Sequence, residues 1–186
     1  MKKLNEQLLI EHCSPTLANI KVANLFLYFF ETQEEVEEYL NYWNQQMNSK
    51  GVYLTNIKTC NNTALIYVYR KKSLWKILQQ SEVRYFLQDY GYQRFSVEDC
   101  IKYLREQFQR SCQFPHEIGV FLGYPLEDII GFIQNKGKNY KSVGCWKVYG
   151  NAEEAEKLFY KFKKCQWIYR QQFLNGRDIL QLTVAA

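Results

Sequence analysis

Two dipeptides hold the side chains best suited to chemistry, His12-Cys13 and His116-Glu117, and they contain the only 2 histidines of the chain. A neutral imidazole ligates metals and moves protons near neutral pH. A thiol becomes a nucleophile or a soft ligand once it ionises. The 6 cysteines, at positions 13, 60, 100, 112, 145 and 165, include no CxxC pair, and no single segment offers four ligands at zinc spacing. If the fold brought Cys13 and His116 together with Cys112 or Cys165, a soft metal or haem iron could be ligated. A Cys13 or Cys165 thiol beside His116 would instead form an activated thiolate and a thiol-dependent enzyme. The simpler alternative makes Cys13 a small core hydrophobe and His116 a partner at a helix start. No Walker loop, GxGxxG, HExxH or GxSxG occurs, which leaves the common nucleotide-binding and hydrolase classes without their signatures.

Charge supplies a second set of candidates. The net charge is +5, but it is polarised along the chain. Residues 31–38 hold five glutamates and no base, whereas residues 136–177 hold ten Lys or Arg against Glu153, Glu154 and Glu156. Tyr140, Trp146, Tyr149, Phe159, Tyr160, Phe162, Trp167 and Tyr169 interleave with those bases. Cations beside flat rings can bind single-stranded nucleic acid or an anionic small molecule. The same pattern also describes an amphipathic helix with an aromatic core stripe, and Phe159, Phe162, Gln166 and Tyr169 share one helical face as that reading requires. Within this region the loop NKGKNYK presents Lys136, Lys138 and Lys141, either as an anion grip or as an ordinary solvated loop.

Elements that would carry these residues can be read from periodicity. A chain of 186 residues with 15 Tyr, 12 Phe and 4 Trp has ample material for a core, so disorder is excluded and one domain spanning 1–186 is expected. No apolar run approaches the ~20 residues of a membrane span, and none near the N-terminus resembles a secretory segment, so a cytoplasmic protein with reduced thiols is expected. Residues 4–11 predict a short helix broken at Ser14-Pro15. Residues 22–30 read as a strand buried on both faces. Thr32 and Glu35 form a capping-box pattern ahead of a helix whose Val36, Leu40, Trp43 and Met47 face inward, with Gly51 closing it. Two apolar runs around Cys60-Asn61-Asn62-Thr63 predict a hairpin, and helices follow at about 72–89 and 96–110, the second capped by Ser96.

A helical hairpin is predicted over about 114–135, with Pro115 opening it, Gly123 at its turn, and Pro125 starting the second helix. Gly119 and Gly123, four apart, leave room for another backbone. A strand at 144–149, a helix at 152–174 and a closing strand ILQLTV complete the order. The expected class is α+β, with a mixed sheet of about five strands, part of which can form a split β-α-β arrangement of ferredoxin-like type.

The stretch FPHEIGVFLGYPLEDIIGFIQNKGKNYKSVGCWKVYG at 114–150 resembles a family of uncharacterised proteins from anaerobic Firmicutes, domain-of-unknown-function family 3793. The resemblance extends to EHCSPTLANIK at 11–21, NAEEAEKLFYKFKKC at 151–165 and the terminal LTVAA, so it covers nearly the whole chain. It implies a bacterial cytosolic protein and supplies no catalytic residues. The leading expectation is an accessory or binding protein, more a binder than an enzyme. It would hold a small ligand, a metal or haem, or a redox partner near His116, with Cys13, Glu117, Lys136, Lys138, Lys141 and Cys165 as further candidates. A nucleic-acid binder using 136–177 and the thiol enzyme are the alternatives.

Overall fold

The computed structural model describes residues 5–110 and 114–185, so Cys112 lies outside the described residues. The chain runs α1 (Glu6–Leu17), β1 (Ala23–Phe29), α2 (Gln33–Met47), β2 (Val52–Cys60), β3 (Thr63–Arg70), α3 (Lys71–Leu78), α4 (Ser81–Asp89) and α5 (Val97–Arg110). It continues through α6 (Ile118–Phe121), α7 (Leu126–Gln134), β4 (Ser142–Val143), β5 (Lys147–Val148), α8 (Ala152–Leu174) and α9 (Ile179–Leu182). The α+β class holds, but the sheet has three strands in the order β1-β3-β2, all antiparallel, in place of a mixed sheet of five.

Helices cover both faces of that sheet. Alternate side chains of β3 divide between two cores: Ala64, Ile66 and Val68 pack against α1, α2 and α9, while Leu65, Tyr67 and Tyr69 pack against α3 to α7. This explains the unbroken apolar run of β3, because a strand buried on both faces has no polar side to show. The same inference fails for 22–30. Strand β1 is an edge, and Leu27 and Phe29 are exposed. The hairpin of β2 and β3 turns at Asn61-Asn62 as its asparagines suggest, with Asn61 at φ 51°, where a short amide side chain is tolerated. The register shifts by a bulge between Asn56 and Lys58, and Ile57 packs into the second core.

Several expected boundaries move for identifiable reasons. Pro15 does not end α1 but lies inside it. Proline cannot donate to the carbonyl four residues back, and Gln166 of α8 donates to that freed Glu11 carbonyl at 3.5 Å. The run 72–89 is two helices, broken where Gln80 turns extended. Thr32 is the N-cap residue of α2, but its side chain makes no cap bond; Glu35 accepts from the Glu31 N–H instead. Ser96 caps α5 as read, accepting from Asp99 N at 3.0 Å. The expected strand at 144–149 shrinks to β5 and pairs with β4 rather than with the main sheet, which removes the ferredoxin-like arrangement. ILQLTV forms α9, because Asp178 accepts from Leu180 N at 2.6 Å and starts a helical turn.

One buried cation ties these elements together. Arg70, at the end of β3, is 1% exposed and joins no ion pair among the described residues. Its guanidinium donates to the carbonyls of Thr16, Leu17 and Lys50. The first two are among the last carbonyls of α1, and the third closes the 3-10 turn that follows α2. A cation at two helix ends satisfies orphan carbonyls and opposes both macrodipoles.

Arg70→Met should therefore lower the unfolding free energy by at least about 3 kcal/mol, because charge-assisted bonds are lost and buried carbonyls are left unpaired. Arg70→Lys should recover only part of the loss. Urea denaturation of the two variants against wild type measures both.

Candidate functional site

The helical hairpin at 114–135 forms as its prolines and glycines suggest. Pro125 serves as the N-cap of α7, one position earlier than a first helical residue, and Gly123 turns between α6 and α7 at φ 74°. Room at the glycines goes to side chains, not to a backbone: Ile129 fills the space over Gly119, and Val22 that over Gly123. Tyr67, from the centre of the sheet, donates its buried hydroxyl to the Phe121 carbonyl at 2.6 Å and so fixes α6 against β3.

The segment that follows folds back on the hairpin. The organising group is Asp128, a carboxylate only 3% exposed on the first turn of α7. One oxygen accepts from the backbone N–H groups of Tyr149 and Gly150 at 2.7 and 2.8 Å, and the other accepts from Trp146 Nε1 at 2.7 Å. A buried carboxylate is tolerated only when such donors surround it. Tyr149 seats directly over Gly131, where any side chain would collide with it. Trp146 then stacks on Tyr124 at 4.7 Å and meets Phe159 of α8 edge-on at 4.5 Å.

Between the helical hairpin and the β4-β5 hairpin lies a cleft of about 290 Å³. Ile118, Gly119, Asp128, Ile129 and Phe132 line it from the helices, with Phe114, Pro115 and His116 just ahead of them; Tyr124, Val143, Cys145, Trp146 and Lys147 complete the lining. The imidazole of His116 stands edge-on to Phe132 at 5.3 Å. Lys147 donates to the Gly137 carbonyl at 2.7 Å and lies over the Tyr140 ring at 4.9 Å. The wall is therefore largely apolar and aromatic, with one imidazole, one thiol and one ammonium at its margin and the Asp128 carboxylate, already engaged by three donors, among its lining groups.

The structure separates most of the residues that sequence proposed together. His116 lines the cleft, but Glu117 turns away from it into the core, where burial pushes its carboxyl above the ordinary range. Its own backbone N–H, His116 and the Tyr92 hydroxyl oppose that shift without cancelling it. Cys13 is buried in the core between α1 and the sheet, and Cys165 on the inner side of α8. Burial raises both thiols, Cys165 to about 11, which opposes thiolate formation. No group of three or more His, Cys, Asp or Glu converges among the described residues, so Cys13, His116 and Cys165 do not form a ligand set. Lys136, Lys138 and Lys141 lie exposed on the loop beyond α7. Lys141 donates to the Gly150 carbonyl and Lys138 accepts the Tyr149 hydroxyl at its carbonyl, so both hold the loop in place.

Sequence reasoning missed Asp128, Phe132, Val143 and Cys145. Asp128 is one of two acids in the first turn of LEDIIGFI. Its position in an otherwise apolar helix was the available signal that it serves the interior.

The chain belongs to the family described as Protein of unknown function (DUF3793), whose model matches residues 9–183. No curated protein and no solved structure matches it. Among the described residues no helix is long and apolar enough to cross a membrane.

Two outcomes follow from this geometry. Asp128→Ala removes the acceptor for three donors, and hydrogen exchange should show the Tyr149 and Gly150 amides losing protection while β3 keeps its own. Glu117 bears on pH. Its folded pKa lies above the unfolded value, so its neutral form is favoured in the fold. Stability from this group is complete below the unfolded pKa and is lost as pH rises through the carboxylate range toward the folded pKa. Glu117→Gln should remove that component and be more stable than wild type at pH 7, measured by denaturation at pH 4 and 7.

Proposed function

We propose that the protein binds a small, flat, mostly apolar molecule in the cleft between the α6-α7 hairpin and the β4-β5 hairpin. The observation that carries this reading is the combination of an apolar, aromatic cleft with a wall held rigid from behind. Trp146 lines the cleft and is bonded to buried Asp128 on one edge and packed on Phe159 on another. Ligand sites are typically concave and apolar with a few convergent polar groups, and pre-built walls reduce the ordering cost of binding. Here those groups are the His116 imidazole, the Lys147 ammonium and the Cys145 thiol, beside an Asp128 carboxylate whose oxygens are taken up by Trp146, Tyr149 and Gly150.

The volume of about 290 Å³ lies at the lower end of the range for small-molecule pockets, so it favours one or two fused rings over a porphyrin. Lys147 and His116 at the margin favour an anionic or hydrogen-bond-accepting substituent on that ring system. Binding or carriage of such a molecule needs no nucleophile. The raised thiols of Cys13 and Cys165 lend no support to covalent chemistry at those positions.

The probe of choice is the fluorescent dye naphthalene-2-sulfonate, which is flat, aromatic and anionic. It should bind at one saturable site. At one hundred times Kd it should stabilise the fold by about 2.7 kcal/mol, which corresponds to roughly 5–10 °C in Tm. Val143 is 58% exposed and lines the cleft, so Val143→Glu places a carboxylate in the apolar wall without disturbing the core. That variant should keep its Tm and lose at least tenfold in affinity. Unchanged dye binding by the folded variant would overturn the assignment to this cleft.

A further inference from the structure

Helix α8 has two apolar faces, and only one of them is used. Ala155, Phe159, Phe162 and Cys165 are buried on its inner side, where it packs on α1. On the opposite side Tyr160, Trp167 and Leu174 are 67%, 64% and 68% exposed. Their spacing of seven residues is close to two helical turns, so they stand in one ridge with about 10 Å between successive members. Three large apolar side chains aligned toward water are not needed by the fold, and such alignment marks an interaction surface.

Beyond Glu156, one turn ahead of Tyr160, the charge around the ridge is of one sign. From Lys157 to Arg177 there are six bases and no acid. Lys157 is paired with Glu153 at 2.5 Å, whereas Lys161, Lys163, Lys164 and Arg170 join no ion pair among the described residues. On a helical projection Lys163 and Arg170 flank one side of the ridge and Lys164 the other, with Lys161 further round on that second side. Long basic side chains beside an aromatic and aliphatic ridge can reach anionic head groups while the ridge enters the boundary below them.

We propose that the outer face of α8 docks the protein on an anionic membrane surface, lying in the interface without crossing it. Charge complementarity selects the occupant's sign, and shape selects its class. A single-stranded nucleic acid is held in a basic groove with successive rings for its bases. This surface is a convex ridge, its two rings are about 10 Å apart, and its third member is aliphatic. A convex ridge of Tyr, Trp and Leu with flanking lysines suits a lipid interface. The proposal stands on α8 alone and is independent of the cleft.

The test is co-sedimentation of the full chain with vesicles of phosphatidylcholine and phosphatidylglycerol at 7:3, against pure phosphatidylcholine, in 0.1 M salt. Binding should be at least tenfold stronger to the anionic vesicles and should weaken as salt rises. Trp167→Glu with Leu174→Glu should lower partitioning at least tenfold. Replacing Lys161, Lys163 and Lys164 by Gln should lower it about 100-fold, since each cation near the surface contributes about fivefold. All these side chains are exposed, so the variants should keep the wild-type Tm. As a reading on folded protein, the emission difference between wild type and Trp167→Phe should shift to the blue on anionic vesicles alone. Equal partitioning to both vesicles, or variants that bind as wild type does, would overturn the proposal. Retention of a 20-residue oligothymidine through Trp167 without vesicle binding would overturn it in favour of nucleic acid.

Discussion

The arrangement of this protein depends on one buried guanidinium. Arg70 ends the central strand and donates to the carbonyls that terminate α1 and the turn after α2. A buried charge without a carboxylate partner is costly unless oriented dipoles replace its water. Two helix ends supply them, so both helices must finish at the same corner of the sheet. The consequences spread outward. Helix α1 fixed in this way is the bed for α8. Helix α8 in turn presents Phe159 to Trp146, and Trp146 is a wall of the cleft. A contact at the end of the sheet thus sets the position of a surface site through packed helices.

Asp128 plays the corresponding part within the site. The β4-β5 hairpin has two residues per strand, far too few to be stable by pairing alone. It holds its shape because one carboxylate collects two backbone N–H groups and an indole N–H, and because Gly131 lets Tyr149 sit on the helix. The cleft is therefore bounded by a short hairpin that borrows its rigidity from α7. Such a wall places ring side chains accurately without a large core behind them.

The two surfaces proposed to act differ in character. The cleft is concave and mostly uncharged, and its wall is braced by Asp128. The α8 ridge is convex and basic and stays exposed among the described residues. The charge polarity along the sequence maps onto separate elements: the glutamates of 31–38 lie at the start of α2, and the bases of 157–177 lie on and just beyond α8. Both interior faces of the sheet are meanwhile closed by apolar side chains. Most of the aromatic content is spent there, which is why an aromatic-rich composition does not by itself indicate a binding platform.

Local features were legible in the sequence because their causes are local. The α+β class, the Asn61-Asn62 turn, the Ser96 cap, the α6-α7 hairpin with Gly123 at its bend and the span of α8 all follow from neighbouring residues. What depended on partners distant in the chain was not legible. Pro15 lies within α1, and the Glu11 carbonyl it strands accepts from Gln166, more than 150 residues away. The strand at 144–149 leaves the main sheet because Asp128 holds it elsewhere. Cys13 and Cys165 are kept from His116 by the layers that bury them, and Glu117 turns inward although its neighbour faces the cleft. Spacing along a chain specifies a side chain's face on its own element. Only the packing of elements, governed here by where Arg70 and Asp128 find their partners, decides which faces meet.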